Sequence, residues 1–390
     1  MQEFFTPIDI SKFRGAKHYS TASYGKLIKG YFINEDFPDF ENAHIAIVGV
    51  EEDSRALNNE GCGLAADYVR ENLYKLFQGN YTAKIVDLGN IKKGDTFEDS
   101  CFAINDVLST LLKKNIIPII IGGGQHITYC NYTAYLSLEQ TINIVAVDSC
   151  FDLGDGEKEL NSHNYLSKII LHHPNILFNY SNIGYQTYFV EQAAINLMDK
   201  LFFDAHRLGH VRADIESVEP IVRNADIVSF DVSAIRQSDA PGCGNASPNG
   251  FYGEEACQIA RYAGLSDKLT SVGFYEINPA FDTNKQTAHL AAQMIWYFID
   301  GYYNRKKDDP STNNKSDYTK YRVAIKNHDH EIIFYKSNKS DRWWMDVPYP
   351  PNHKIKYERH HMVPCSYKDY ETACNDEMPD RWWQTYQKLG

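Results

Sequence analysis

Short apolar runs rich in β-branched residues recur along the chain, separated by segments with helical spacing. The runs are HIAIVGV (44–50), AKIVDLG (83–89), NIIPIIIGGG (115–124), INIVAVD (142–148), ILFNYSNIGY (176–185), LFFDAH (201–206), DIVSFDVSAI (226–235) and LTSVGFYEI (269–277). Their apolar residues are mostly continuous rather than alternating, which marks strands covered on both faces. Between them, segments such as EDSCFAINDVLSTLLKKN (98–115) repeat apolar residues three and four apart, as an amphipathic helix does. This alternation predicts a three-layer α/β/α fold around a mostly parallel sheet of roughly eight strands.

The polar residues that follow these runs change the picture from fold to chemistry. His126 follows IIIGGGQ, Asp148 and Asp152 follow INIVAV, Asp231 follows IVSF, and Glu276 follows SVGFY. Parallel sheets bind ligands beyond the carboxyl ends of their strands. One Asp or His at a strand end is ordinarily a turn former or helix cap. Four strands delivering such groups to one edge need another explanation, because unpaired carboxylates in a cleft repel one another and call for protons or a cation. Gly122, Gly123 and Gly124 read as a tight turn at a strand end, not a phosphate loop, since no lysine-threonine pair follows.

Composition excludes several classes of partner. The formal charge of -12 argues against nucleic acid and anionic membrane surfaces, and favours small cationic or neutral ligands. No stretch approaches the roughly 20 apolar residues of a membrane span, and the start MQEFFTPIDISKF lacks a signal-peptide pattern, so a cytoplasmic location is expected. The eight cysteines include no CxxC pair, so most are expected to be buried free thiols, with neither a zinc knuckle nor a disulfide framework.

Four segments carry a family resemblance. GGGQH (122–126), DSCFD (148–152), SFDVS (229–233) and GFYEINPAFD (273–282) resemble, in order, the signatures of the ureohydrolases: arginase, agmatinase, formimidoylglutamase and their relatives. The first loop and helix (GVEEDSRALNNEGCGLAADYVRENL), VDLGN and APGCGNASPNGF add to the likeness. The resemblance implies an arginase-like fold and a binuclear manganese centre. It also implies hydrolysis of a linear guanidino or formimino carbon–nitrogen bond by metal-activated water.

Carried over position by position, the resemblance assigns His126, Asp148, Asp152 and Asp231 to one metal. The second metal shares Asp148 and Asp231, but its own histidine falls on Cys150 and its own aspartate on Ser233. A neutral Cys150 favours one divalent ion, manganese by family. A thiolate Cys150 restores the charge balance but prefers zinc, and Asp155 or His163 are alternative substitutes for a second metal. An empty or monovalent-filled centre is the remaining state. Glu276 matches the family acid that pairs with the substrate's planar cation, and His163 the histidine that carries protons. A nucleophilic Cys150 with His126 or His163 as base is the competing chemistry, disfavoured by flanking carboxylates that raise a thiol's pKa.

Two functions follow from the resemblance: an arginase-family hydrolase with a degenerate metal centre, or a non-catalytic relative with a binding or assembly role. The family also implies a homo-oligomer. The likeness stops near residue 300, which places an arginase-like domain at 1–303 with an N-terminal arm over about 1–40. A polar surface loop or linker is expected at 304–320 and a C-terminal extension at 321–390. In the extension RVAIK (322–326) and EIIFYKS (331–337) read as strands and SYKDYETAC as a helix. DRWW occurs twice, at 341–344 and 380–383. Such tryptophans pack a tail onto its own domain or a neighbouring subunit. Adjacent histidines in ERHHMVP face opposite ways and make no zinc pattern.

Overall fold

The computed structural model describes residues 1–311, 315–326, 331–350 and 358–389. The first ten strands are β1 (Phe5–Thr6), β2 (Lys29–Gly30), β3 (Ile45–Val50), β4 (Ile85–Ile91), β5 (Ile117–Ile121), β6 (Ile142–Val147), β7 (Leu177–Tyr185), β8 (Asp204–Arg207), β9 (Ile227–Asp231) and β10 (Ser271–Tyr275). They form one sheet in the order β1-β4-β3-β5-β10-β9-β6-β7-β8, with β2 also on β4. All pairings are parallel except β1 with β4. The eight apolar runs account for the parallel strands β3 to β10. The two short additions, β1 and β2, come from the N-terminal arm, whose apolar content is too brief to read as strand.

Burial on both faces is visible residue by residue. Ile45 and Ile47 of β3 enter one apolar core while Ala46, Val48 and Val50 enter the other. Ile119 and Ile121 of β5 likewise face away from Ile120. A continuous apolar strand is therefore what two helical layers require. Helices Ala65–Leu73, Gly253–Leu265 and Gln286–Tyr303 cover one face, and Phe97–Lys113 and Ile127–Ala134 the other.

Helices Phe97–Lys113 and Ile127–Ala134 are joined by a disulfide between Cys101 and Cys130, with Cα atoms 5.4 Å apart. This corrects the expectation of no disulfide: the partners are 29 residues apart with no motif spacing, and only helix packing juxtaposes them. The other six cysteines are free, four of them buried. Thiol titration in denaturant without reductant is expected to count six thiols rather than eight.

The C-terminal strands β11 (Tyr318–Ala324), β12 (Glu331–Ser337), β13 (Trp343–Asp346) and β14 (Met362–Cys365) form a separate antiparallel sheet. It packs with helices Tyr367–Cys374 and Asp380–Leu389 around Phe334, Trp343 and Trp382. The two DRWW copies part company here. The first leads into β13, the second opens the last helix, so the neighbouring sequence and packing override identical local chemistry. The sheet is tied to the large one by Arg223, which donates to Trp343 O and Cys365 O and lies 4.3 Å from the centre of the Trp344 ring. Arg359 adds an ion pair to buried Asp226 at 2.7 Å. Within 304–320, residues 312–314 lie outside the described residues, while Asp308 is fully buried and bonded to Ser340. Among the described residues no helix is long and apolar enough to cross a membrane.

Candidate metal centre

Strands β5, β10, β9 and β6 are consecutive neighbours, so their tips meet at one edge. The register pairs Ile121 with Phe274, Asp231 with Tyr275, and Phe230 with Val147. One residue past these tips stand Asp148 and Glu276, buried like Asp231, with Asp152 half-buried on the following turn.

The turn after β5 needs glycine. Gly122 and Gly123 have φ of +92° and +71°, and a Cβ on Gly123 would lie 2.4 Å from the Glu52 carbonyl oxygen. Gly123→Ala is expected to cost about 1–3 kcal/mol through strain, read as a lowered urea midpoint, and to displace Gln125 and Glu276. Glu276 NH donates to the Gly123 carbonyl, and Gln125 NH donates to Glu276 Oε1 at 2.7 Å. Asn59 completes the hold, donating to Glu276 Oε2 at 2.7 Å and to its carbonyl at 2.8 Å. Glu276 itself has φ +65°, and Asp152 φ +51°. Left-handed backbone at two non-glycine residues is strain concentrated at this edge.

Asp148 and Asp231 each behave partly as turn formers. Asp148 Oδ1 accepts from Cys150 NH at 2.9 Å, and Asp231 Oδ1 from Ser233 NH at 2.6 Å. Capping uses one oxygen of each, and Asp148 Oδ2 is buried with no hydrogen-bond partner. None of Asp148, Asp152, Asp231 and Glu276 forms an ion pair among the described residues.

Their mutual repulsion shows in their acidity. Burial raises the pKa of Asp231 well above the carboxylate range, with the charges of Asp148 and Glu276 adding to it. Asp152 is raised by burial and then by Asp148. Asp148 is raised by burial, against the hydrogen bond from Cys150 NH. Burial moves Glu276 to about 7, opposed by Asn59 and Gln125. Cys150 is raised by burial and by Asp148 and Asp152, so the thiol stays protonated and the nucleophilic-thiol reading loses its thiolate.

His126 is fully buried, its ring 5.5 Å from Phe97, and neither ring nitrogen has a hydrogen-bond partner. Burial, then the charge of Arg55, lowers its pKa to about 3, which keeps the imidazole neutral and able to ligate. His163 is exposed, and its charge reaches Asp148. Asp155 is also exposed.

An unpartnered neutral imidazole, an unpartnered carboxylate oxygen and further carboxylates lacking counter-charge are donor types that a divalent ion takes. In the metal-free protein burial and the flanking carboxylates hold the Cys150 thiol above its ordinary pKa, and Ser233 offers a neutral hydroxyl, so neither brings a charge of its own toward a second ion unless a metal displaces the thiol proton. In this conformation no three His, Cys, Asp or Glu side chains among the described residues are grouped closely enough to hold an ion. The sequence motifs did not single out Asn59 or Gln125. Asn59 lies in the quoted first loop, and only the fold shows that it reaches the end of β10.

These features define an α/β protein with a buried acidic site at the carboxyl edge of a parallel sheet. The chain belongs to the arginase family, whose model matches residues 43–300. It is 24% identical to a formimidoylglutamase of Staphylococcus aureus over 310 residues, covering 75% of this chain and 94% of the relative. Its fold is similar to that of a Trypanosoma cruzi formiminoglutamase solved with Mn2+ (TM-score 0.64, 19% identity, 73% of this chain and 99% of that one). The agmatine ureohydrolase of Thermoplasma volcanium is a further neighbour (TM-score 0.59, 19% identity, 74% and 97%).

Proposed function

We propose that the protein hydrolyses a carbon–nitrogen bond of a small formimino or guanidino compound, using a single divalent ion held by His126, Asp148, Asp152 and Asp231. The observation that carries this reading is the cluster of carboxylates on adjacent strand tips with no basic side chain paired to them. When bound, the ion supplies charge neutralisation and a water acidic enough to act as nucleophile near neutral pH. Glu276 is held by Asn59 and Gln125, which fixes its carboxylate for paired hydrogen bonds from a planar amidinium. His163, exposed beside the site, carries the proton to the leaving nitrogen. The S. aureus and T. cruzi relatives support a formimino substrate.

The test is release of formamide from N-formimino-L-glutamate, or of urea from agmatine or arginine, by the manganese-loaded protein. Turnover of any one of them supports the reading. No turnover, with an ion bound, would favour the second reading, a non-catalytic relative, which Cys150 and Ser233 motivate. Cys150→His combined with Ser233→Asp is expected to raise the bound metal from one ion per chain towards two, measured by elemental analysis. An unchanged content would mean that these positions do not face the second ion.

A further inference from the structure

A polar cavity lies at the opposite, amino-terminal edge of the sheet, where the C-terminal extension packs over β7 and β8. It has a volume of about 530 Å³ and is lined by Asn179, Ser181, Asp204, His360, Gln384 and Lys388, among others. That is within the size range of pockets that enclose small molecules.

Its charges are arranged in an unusual way. Lys388 Nζ donates to Asn179 Oδ1, and Asn179 Nδ2 donates to Asp204 Oδ2 at 2.8 Å. Ser181 Oγ donates to the same Asp204 oxygen at 2.8 Å. One carboxamide thus stands between an ammonium and a carboxylate that would otherwise pair. Among the described residues Lys388 has no carboxylate within ion-pair distance, and Asp204 Oδ1 accepts no hydrogen bond. Of the other charges on the wall, Asp369 caps a helix through Ser366 and Arg381 donates to Ser217 O, while Glu377 and Asp380 also line the cavity. His360, only 2% exposed, is stacked on Phe178 and bonded through Nε2 to Thr141, and its Nδ1 has no hydrogen-bond partner.

A half-used carboxylate and an ammonium with no direct carboxylate partner, both half-exposed and separated by one amide in a partly open cavity, complement a ligand bearing both opposite charges. Such a ligand would give each a direct counter-charge. We infer that this cavity binds a free α-amino acid, its carboxylate at Lys388 and its ammonium at Asp204 Oδ1. The inference does not depend on what the carboxyl-edge site does.

The experiment is a thermal-shift screen of the full chain with the standard L-amino acids at millimolar concentration, followed by calorimetric titration of the best. Acetate and methylammonium, each bearing one of the two charges, are the comparators. At least one amino acid is expected to raise Tm by about 2 °C or more, and neither comparator to do so. Lys388→Met and Asp204→Asn should abolish the shift, and Glu276→Gln should preserve it. Should either of the first two fail to fold, Gln384→Trp, which fills the cavity from the last helix, replaces it and should also abolish binding. The inference is overturned if no amino acid shifts Tm, or if acetate alone matches the shift. It is also overturned if the shift survives in the folded cavity variants, or if it is lost in Glu276→Gln, which would place binding at the other edge.

Discussion

Asp148→Asn should abolish binding of a divalent ion and lower any hydrolysis by roughly three orders of magnitude, yet raise the Tm of the metal-free protein by about 2–4 °C. The opposite signs come from one feature. Asp148 adds charge to buried Asp231 and Glu276 and to half-buried Asp152, so neutralising it relieves repulsion when no cation is present. Asparagine can still accept from Cys150 NH through its oxygen, which keeps the turn. Differential scanning fluorimetry with and without manganese reads both effects. A metal-free Tm that falls, together with manganese stabilisation equal to that of the unsubstituted protein, would mean that Asp148 is only a turn former.

Arg70→Ala should be the most damaging substitution away from the site, costing about 3–5 kcal/mol. Arg70 is completely buried on helix Ala65–Leu73. It pairs with Asp87 of β4 through Nε and Nη2, both at 2.9 Å, and donates to the Gly89 carbonyl at 2.9 Å. Tyr74 donates to the same carboxylate at 2.8 Å. Removing the guanidinium strands Asp87 in the interior with, among the described residues, only Tyr74 and the Gly89 NH as donors to its carboxylate. Urea denaturation followed by circular dichroism measures the loss, and a cost below about 1 kcal/mol, the range of exposed ion pairs, would show that water replaces the pair.

Much of this was legible in the chain because it rests on local pattern. Most of the strands β3 to β10 declare themselves as largely apolar runs, β8 (DAHR) being the exception, and the polar residues at the ends of β5, β6, β9 and β10 mark the edge where the acids gather. Side-chain direction is not local. That His126 packs against Phe97, or that Asn59 crosses from the first loop to hold Glu276, follows from packing between elements distant in sequence. The positive φ of Asp152 and Glu276 is invisible for a different reason: neither residue type advertises left-handed backbone as glycine does. The Cys101–Cys130 bridge and the divergent fates of the two DRWW copies belong to the same class, set by tertiary neighbours. The resemblance put Cys150 and Ser233 at the second metal's ligand positions, and the structure adds that their backbone NH groups bond Asp148 and Asp231.

Equilibrium dialysis of the full chain against manganese, followed by elemental analysis, measures whether the strand-tip carboxylates and His126 hold one divalent ion. One ion per chain is expected, lost in Asp231→Asn and in His126→Ala. No bound ion would contradict it outright, and two would contradict the reading of Cys150 and Ser233 as positions that no longer bind.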